Sequence, residues 1–246
     1  AHHYVVYSGL LDVIIEKPLS SNSLFYYFWS AWGKTCVNCF ILITGYFMCT
    51  SNITLRKFLK LYLWVITYHV VFTCISVATG RQDLSWQALF TLIPFRIIHS
   101  DSFTSSFLVW WLFIPFLNVL INNLTRTMHL KLLLYCFVVF SIYPFVPKLL
   151  HIDLNPICWF STIYVFASYM RKYSDQIPHE SSVRFWGWLS VALIILGIVS
   201  IYIILWFGVY IKRPLPWSYM ISDSQQPLAL FIAISTFMFF KNLRIK

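Results

Sequence analysis

From Phe185 to Phe207 the chain reads FWGWLSVALIILGIVSIYIILWF, without one charged residue. A helix rises about 1.5 Å per residue and the hydrocarbon core of a bilayer is about 30 Å thick, so a run of this length crosses it. Seven further apolar runs share the chain: a stub from Ala1 to Ile15, then Leu24 to Cys49, Phe58 to Ala78, Ser105 to Ile121, Leu130 to Val146, Asn155 to Met170 and a short Pro227 to Phe240. The composition agrees, because 59% of the 246 residues are hydrophobic and only 11% charged, where soluble domains carry roughly a quarter. Lipid is the expected solvent. The expected fold is an all-α, polytopic transmembrane helix bundle of about eight spans, in one domain over residues 1–246.

Turn chemistry separates the runs at Lys17-Pro18, Ser21-Asn22-Ser23, Gly80-Arg81-Gln82-Asp83, Asn122-Asn123, Pro147-Lys148 and Pro214-Leu215-Pro216. Orientation follows from the basic residues. Eleven of the 18 fall in one set of connections (Arg56, Lys57, Lys60, Arg126, Lys131, Arg171, Lys172, Arg184, Lys241, Arg244 and Lys246), and six in the alternate set (Lys17, Arg81, Arg96, Lys148, Lys212 and Arg213). The eleven are expected on the cytoplasmic side. In such a chain a net charge of +10 reports orientation rather than nucleic-acid binding. The chain opens at Ala1-His2-His3 already inside an apolar segment and closes on the basic turn from Lys241 to Lys246. It reads as a fragment lacking the start of its first helix and one or more helices behind. The cysteines lie inside apolar runs, which implies neither a disulfide framework nor a metal site.

An ionisable side chain in hydrocarbon is costly and therefore a functional candidate. His2 and His3 lie about a third of the way along the first span from its cytoplasmic side. Helical neighbours point about 100° apart, so only one of them can face a common cavity. A histidine placed there can serve as a general base; the alternative is a buried ring bonded to a carbonyl. Lys34 lies within the second span, where it could hold an acyl carbonyl or, more simply, snorkel outward past Phe25, Tyr26, Tyr27, Phe28, Trp29 and Trp32. Gly33-Lys34-Thr35 lacks the glycine and strand of a phosphate loop, and Cys36-Val37-Asn38-Cys39 has no second pair at ligand spacing, so it reads as helix packing. His69, in mid-span, either faces a cavity or, as favoured here, hydrogen-bonds the next helix. The external stretch from Gly80 to Thr104 is long; its apolar middle, Trp86 to Ile98, suits an interfacial or re-entrant helix. Arg96 and His99 there could bind a sugar hydroxyl or an anion, or simply anchor the interface. The patch Arg56, Lys57 and Lys60 either marks orientation or binds the phosphates of a nucleotide-bearing donor.

Four stretches together resemble the acyltransferase 3 family of bacterial integral-membrane acyltransferases. Val37-Asn38-Cys39-Phe40-Ile41-Leu42-Ile43-Thr44-Gly45-Tyr46-Phe47 is similar to the family's second-helix signature, with Thr44 in place of a serine. Arg56-Lys57-Phe58-Leu59-Lys60-Leu61-Tyr62 resembles the basic start of its third helix. The run from Ser106 to Asn118, containing Trp110-Trp111 and Pro115, is similar to its Trp-rich helix, and Trp159 to Arg171 to the helix closing on a small residue, Tyr and Arg. The resemblance implies transfer of an acyl group, usually acetyl, from cytoplasmic acetyl-CoA to a hydroxyl of an extracytoplasmic carbohydrate or lipid-linked glycan. It implies His3 as the catalytic histidine, with His2 second. The donor phosphates would sit against Arg56, foremost, with Lys57 and Lys60, or against Arg126 and Lys131, and Lys34, Arg96, His99 and Trp110 are the candidate acceptor contacts. No permanently bound cofactor is implied, since acetyl-CoA is a substrate. The implied place is the plasma or inner membrane, multi-pass, with the bilayer, acyl-CoA and a glycan as partners. The chain departs from the family pattern where Val109-Trp110-Trp111-Leu112 lacks a histidine, and where the basic residue three turns before His3 would precede Ala1. The competing class is a transporter or flippase subunit. All eight acids lie at span ends or in loops, which weakens ion-coupled transport.

Overall fold

Short polar residues start the helices. Ser20, Thr54, Thr125, Asn155 and Ser182 each accept a backbone N–H of the first turn through the side-chain oxygen, which satisfies a donor that the helix itself leaves unpaired. Pro156 and Pro227 open two helices, where a missing N–H costs nothing. In a computed structural model these signals delimit the elements; the structure describes residues 5, 10–81, 83, 86, 103–145, 155–213, 215, 220–221 and 223–243. The described residues form α1 (Leu10–Glu16), α2 (Ser21–Ser30), α3 (Gly33–Met48), α4 (Leu55–Ala78), α5 (Phe103–Asn123), α6 (Arg126–Phe145), α7 (Pro156–Lys172), α8 (Val183–Tyr210) and α9 (Pro227–Asn242), with no strand among them. Within α6 a π turn spans Val138–Ile142.

Four helices, α4, α5, α6 and α8, are long and apolar enough to cross a membrane, and α9 is a shorter apolar helix. The expected second span is not one helix. It breaks at Ala31 and Trp32 into α2 and α3. The break passes the chain from one core to another. Tyr27 and Ala31 pack with Ile201, Leu205 and Ile221, and the Trp32 ring lies over Gly197 of α8, whereas Ile41, Leu42 and Tyr46 belong to the main core. Lys34 consequently sits at the second residue of α3, exposed, rather than within a continuous span.

The main core is made by α3, α5, α7 and α9. Contacts between them rise in register along both partners: Asn38 meets Trp159 and Tyr46 meets Arg171, Trp110 meets Phe160 and Asn118 meets Tyr164, Cys39 meets Ala233 and Tyr46 meets Phe237. The four therefore run the same way. Helices α4, α6 and α8 return on the outside and present apolar side chains outward, as a lipid-facing layer does. Helix α4 is the barest, burying Phe58 alone. His69 on it is half-buried and makes no hydrogen bond among the described residues, of which α5 is the main neighbour of α4.

Candidate functional site

Helix α7 carries the polar side chains that tie the core together. Near its start, Trp159 Nε1 donates to Asn38 Oδ1 at 3.0 Å, and Asn38 Nδ2 donates to the Ser224 carbonyl at 2.7 Å. Midway, the Tyr164 hydroxyl donates to Asn118 Oδ1, whose Nδ2 donates to the Met48 carbonyl at 3.1 Å. Between these levels Gly45 brings α3 against α7; a Cβ there would stand 2.8 Å from Ala167 Cβ. Asn38 and Tyr164 are fully buried, and paired donors and acceptors make that burial tolerable.

At the last turn of α7, Arg171 Nη1 donates to the Tyr46 hydroxyl at 3.1 Å, and the guanidinium carbon lies 4.8 Å from the centre of the same ring. The guanidinium is a permanent cation. Lys241 of α9 lies 5.5 Å from the centre of the same ring and pairs with Glu180. Lys172 donates to the Ile121 carbonyl at the end of α5, at 2.8 Å. Three cations thus gather where α3, α5, α7 and α9 all end, as expected for the basic side of the bundle.

His129 is a site that the sequence analysis passed over. It lies in the first turn of α6, fully buried, with Nε2 3.1 Å from the Val165 carbonyl and 3.4 Å from Ser168 Oγ. The rings of Tyr169 and Tyr173 meet it edge-on at 5.3 and 5.8 Å, and its Nδ1 finds no partner among the described residues. One signal was present. With Thr125 as the helix cap, His129 falls at the fourth helical position, on a face shared with Leu133 and Cys136.

The expected site residues divide into three groups. His2, His3, Arg96 and His99 lie outside the described residues, as does the expected Trp86–Ile98 helix apart from Trp86. Arg56 and Lys60 come together along one exposed face of α4, in a shallow groove with Leu63, Trp64 and Thr67, while Lys57 turns back to donate to the Asn52 carbonyl at 2.7 Å. Arg126 is exposed at the first residue of α6 and pairs with none of those three. Trp110 is fully buried between α5 and α7, edge-on to Phe160 and Tyr164, and its indole N–H has no acceptor among the described residues. Lys34, by contrast, is exposed at the start of α3.

No family model, curated protein or solved structure matches the chain.

Chemically, the described atoms offer two things. The cations at the ends of α7 and α9 can hold an anion at the basic face, and the neutral ladder through Asn38, Trp159, Asn118 and Tyr164 fixes the register of α3, α5 and α7. Each ladder bond contributes about 0.5–1.5 kcal/mol, and an orphaned partner would cost about 1–3 kcal/mol.

Proposed function

We propose that the chain is a membrane acyltransferase that moves an acyl group, usually acetyl, from cytoplasmic acyl-CoA to a hydroxyl of an extracytoplasmic carbohydrate or glycan. It does so in the plasma or inner membrane, with eight crossings, the second made by α2 and α3 in series. The observation that carries this reading is where the four family-like stretches meet. Asn38 bonds Trp159, Tyr46 bonds Arg171, Asn118 bonds Tyr164, and Phe58 packs on Trp111 with ring centres 5.6 Å apart. Stretches dispersed along the chain thus form one packed unit, as parts of a shared working centre would.

In this reading His3, with His2 as the second candidate, takes the proton of the acceptor hydroxyl as its oxygen attacks the thioester carbonyl. The tetrahedral adduct then expels the thiolate of CoA, which recovers the proton from the imidazolium. Arg56 and Lys60, exposed together on α4 beside Lys57, with Arg126 on the same side, hold the donor phosphates as charge-assisted pairs. Lys34, Arg96 and His99 contact the acceptor. The test is the alkali-labile acetate on surface glycan from cells carrying the chain. His3→Ala should abolish it at unchanged membrane abundance, and His2→Ala should leave most of it. Acetate retained in both variants would remove histidine chemistry from the account.

A further inference from the structure

Between α3 and α9 runs a groove of about 380 Å³ whose walls include Ile43 and Phe47 on one side and Phe237 and Phe240 on the other. Its lining on α3 extends from Cys39 to Phe47, which at 1.5 Å per residue is about 12 Å, close to the depth of one leaflet's hydrocarbon. Ile43, Phe47 and Phe240 are 48, 59 and 62% exposed, so the groove opens sideways, where the acyl chains of a bilayer lie, rather than into the bundle. Lys241 stands at one end of it, and Arg171 reaches the same Tyr46 ring.

The charge at that end is unbalanced. Glu180 answers Lys241, but Arg171, exposed, has no carboxylate partner among the described residues, and Lys172 is bonded to a neutral carbonyl. A phosphate would complete the set. Its depth also fits, because Arg171 and Lys241 lie in the closing turns of α7 and α9 and Tyr46 near the close of α3, on the side where basic residues and headgroups meet.

We propose that this groove is a binding site for an anionic glycerophospholipid of the cytoplasmic leaflet. One acyl chain lies between α3 and α9, and the phosphodiester sits beside Arg171 and Lys241 at the end of the groove. A soluble phosphate would use the cations and leave the apolar channel empty. A zwitterionic lipid would use the channel and bring no net charge to Arg171. The anionic lipid uses both. The site is independent of acyl transfer and stands whether or not the chain is an enzyme.

Native mass spectrometry of the whole chain, released from nanodiscs of equal phosphatidylglycerol and phosphatidylcholine, tests it. Each basic residue facing a lipid phosphate contributes about fivefold in retention. The wild type should therefore hold phosphatidylglycerol at least about fivefold over phosphatidylcholine, and Arg171→Gln should remove that preference. Ile43→Trp, which fills the channel from its exposed side and leaves the cations in place, should lower retention of both lipids and keeps the test available if Arg171→Gln does not fold. Equal retention of the two lipids by the wild type, a preference unchanged in Arg171→Gln, or retention of both lipids unchanged in Ile43→Trp, would overturn the proposal. So would full displacement of phosphatidylglycerol by free CoA at micromolar concentration, which would make the cations a nucleotide site instead.

Discussion

Replacing Gly45 with alanine should loosen the centre of the bundle by an amount that the geometry sets. The added Cβ would stand 2.8 Å from Ala167 Cβ and 3.1 Å from Tyr164 Cδ2, whereas carbon atoms at ordinary contact are about 3.5–4.0 Å apart. Neither neighbour can swing aside. The Ala167 methyl is fixed to its backbone, and the Tyr164 ring is held by its hydroxyl on Asn118. Helices α3 and α7 must then separate by about 0.7–1.2 Å, at the overpacking cost of about 1–3 kcal/mol. For a chain of this size that is a fall of about 2–12 °C in the unfolding midpoint. The assay is thermal unfolding of the detergent-solubilised protein. Gly197→Ala is the control, since its Cβ would meet, at 3.3 Å, the far edge of the half-buried Trp32 ring, and should cost less. Adding Ala167→Gly to Gly45→Ala should recover most of the loss, less about 1 kcal/mol for glycine in a helix. The reasoning fails if Gly45→Ala melts with the wild type, or if Gly197→Ala is the more harmful of the two.

Asn38→Leu and Trp159→Phe should each destabilise by about 1–3 kcal/mol, and the double variant by less than their sum, because the two side chains satisfy each other; a double-mutant cycle in chemical unfolding reads the coupling. Tyr164→Phe should cost about 0.5–1.5 kcal/mol, by the same unfolding measurement, through loss of the bond to Asn118. Lys34→Ala, at an exposed position, should move the unfolding midpoint by no more than about 0.5 kcal/mol equivalent. Arg56→Glu should raise the KM for acetyl-CoA in steady-state assays while leaving membrane abundance unchanged; an unaltered KM would leave Arg56 an orientation signal only.

Helix class and most helix starts were legible because they depend on local chemistry. Thr54, Thr125 and Ser182 cap where a polar residue meets an apolar run, and Pro156 and Pro227 sit where a first turn tolerates them. The break at Ala31 and Trp32 was not legible, because hydropathy is high on both sides and the cause is a distant partner, the Trp32 ring over Gly197. Nor could hydropathy separate a core helix from a lipid-facing one. Helix α7 buries ten of its 17 residues and α4 one of 24, yet both read as apolar runs, since lipid and protein interior select the same side chains. Within the site, Asn38, Gly45 and Arg171 belonged to the quoted stretches, but their pairing with Trp159, Ala167 and Tyr46 needed the fold. His129 was lost for a simpler reason. It precedes the apolar run and was counted with the connection, although its ring turns inward to Val165 and Ser168.

The proposed activity would carry an acyl group from one side of the membrane to an alcohol on the other. Sealed inverted vesicles containing the chain, given radiolabelled acetyl-CoA from outside, measure it directly. Label should accumulate on carbohydrate protected inside the vesicles, and should be absent with His3→Ala. Label no greater than in vesicles lacking the chain, or undiminished with His3→Ala, would contradict the account.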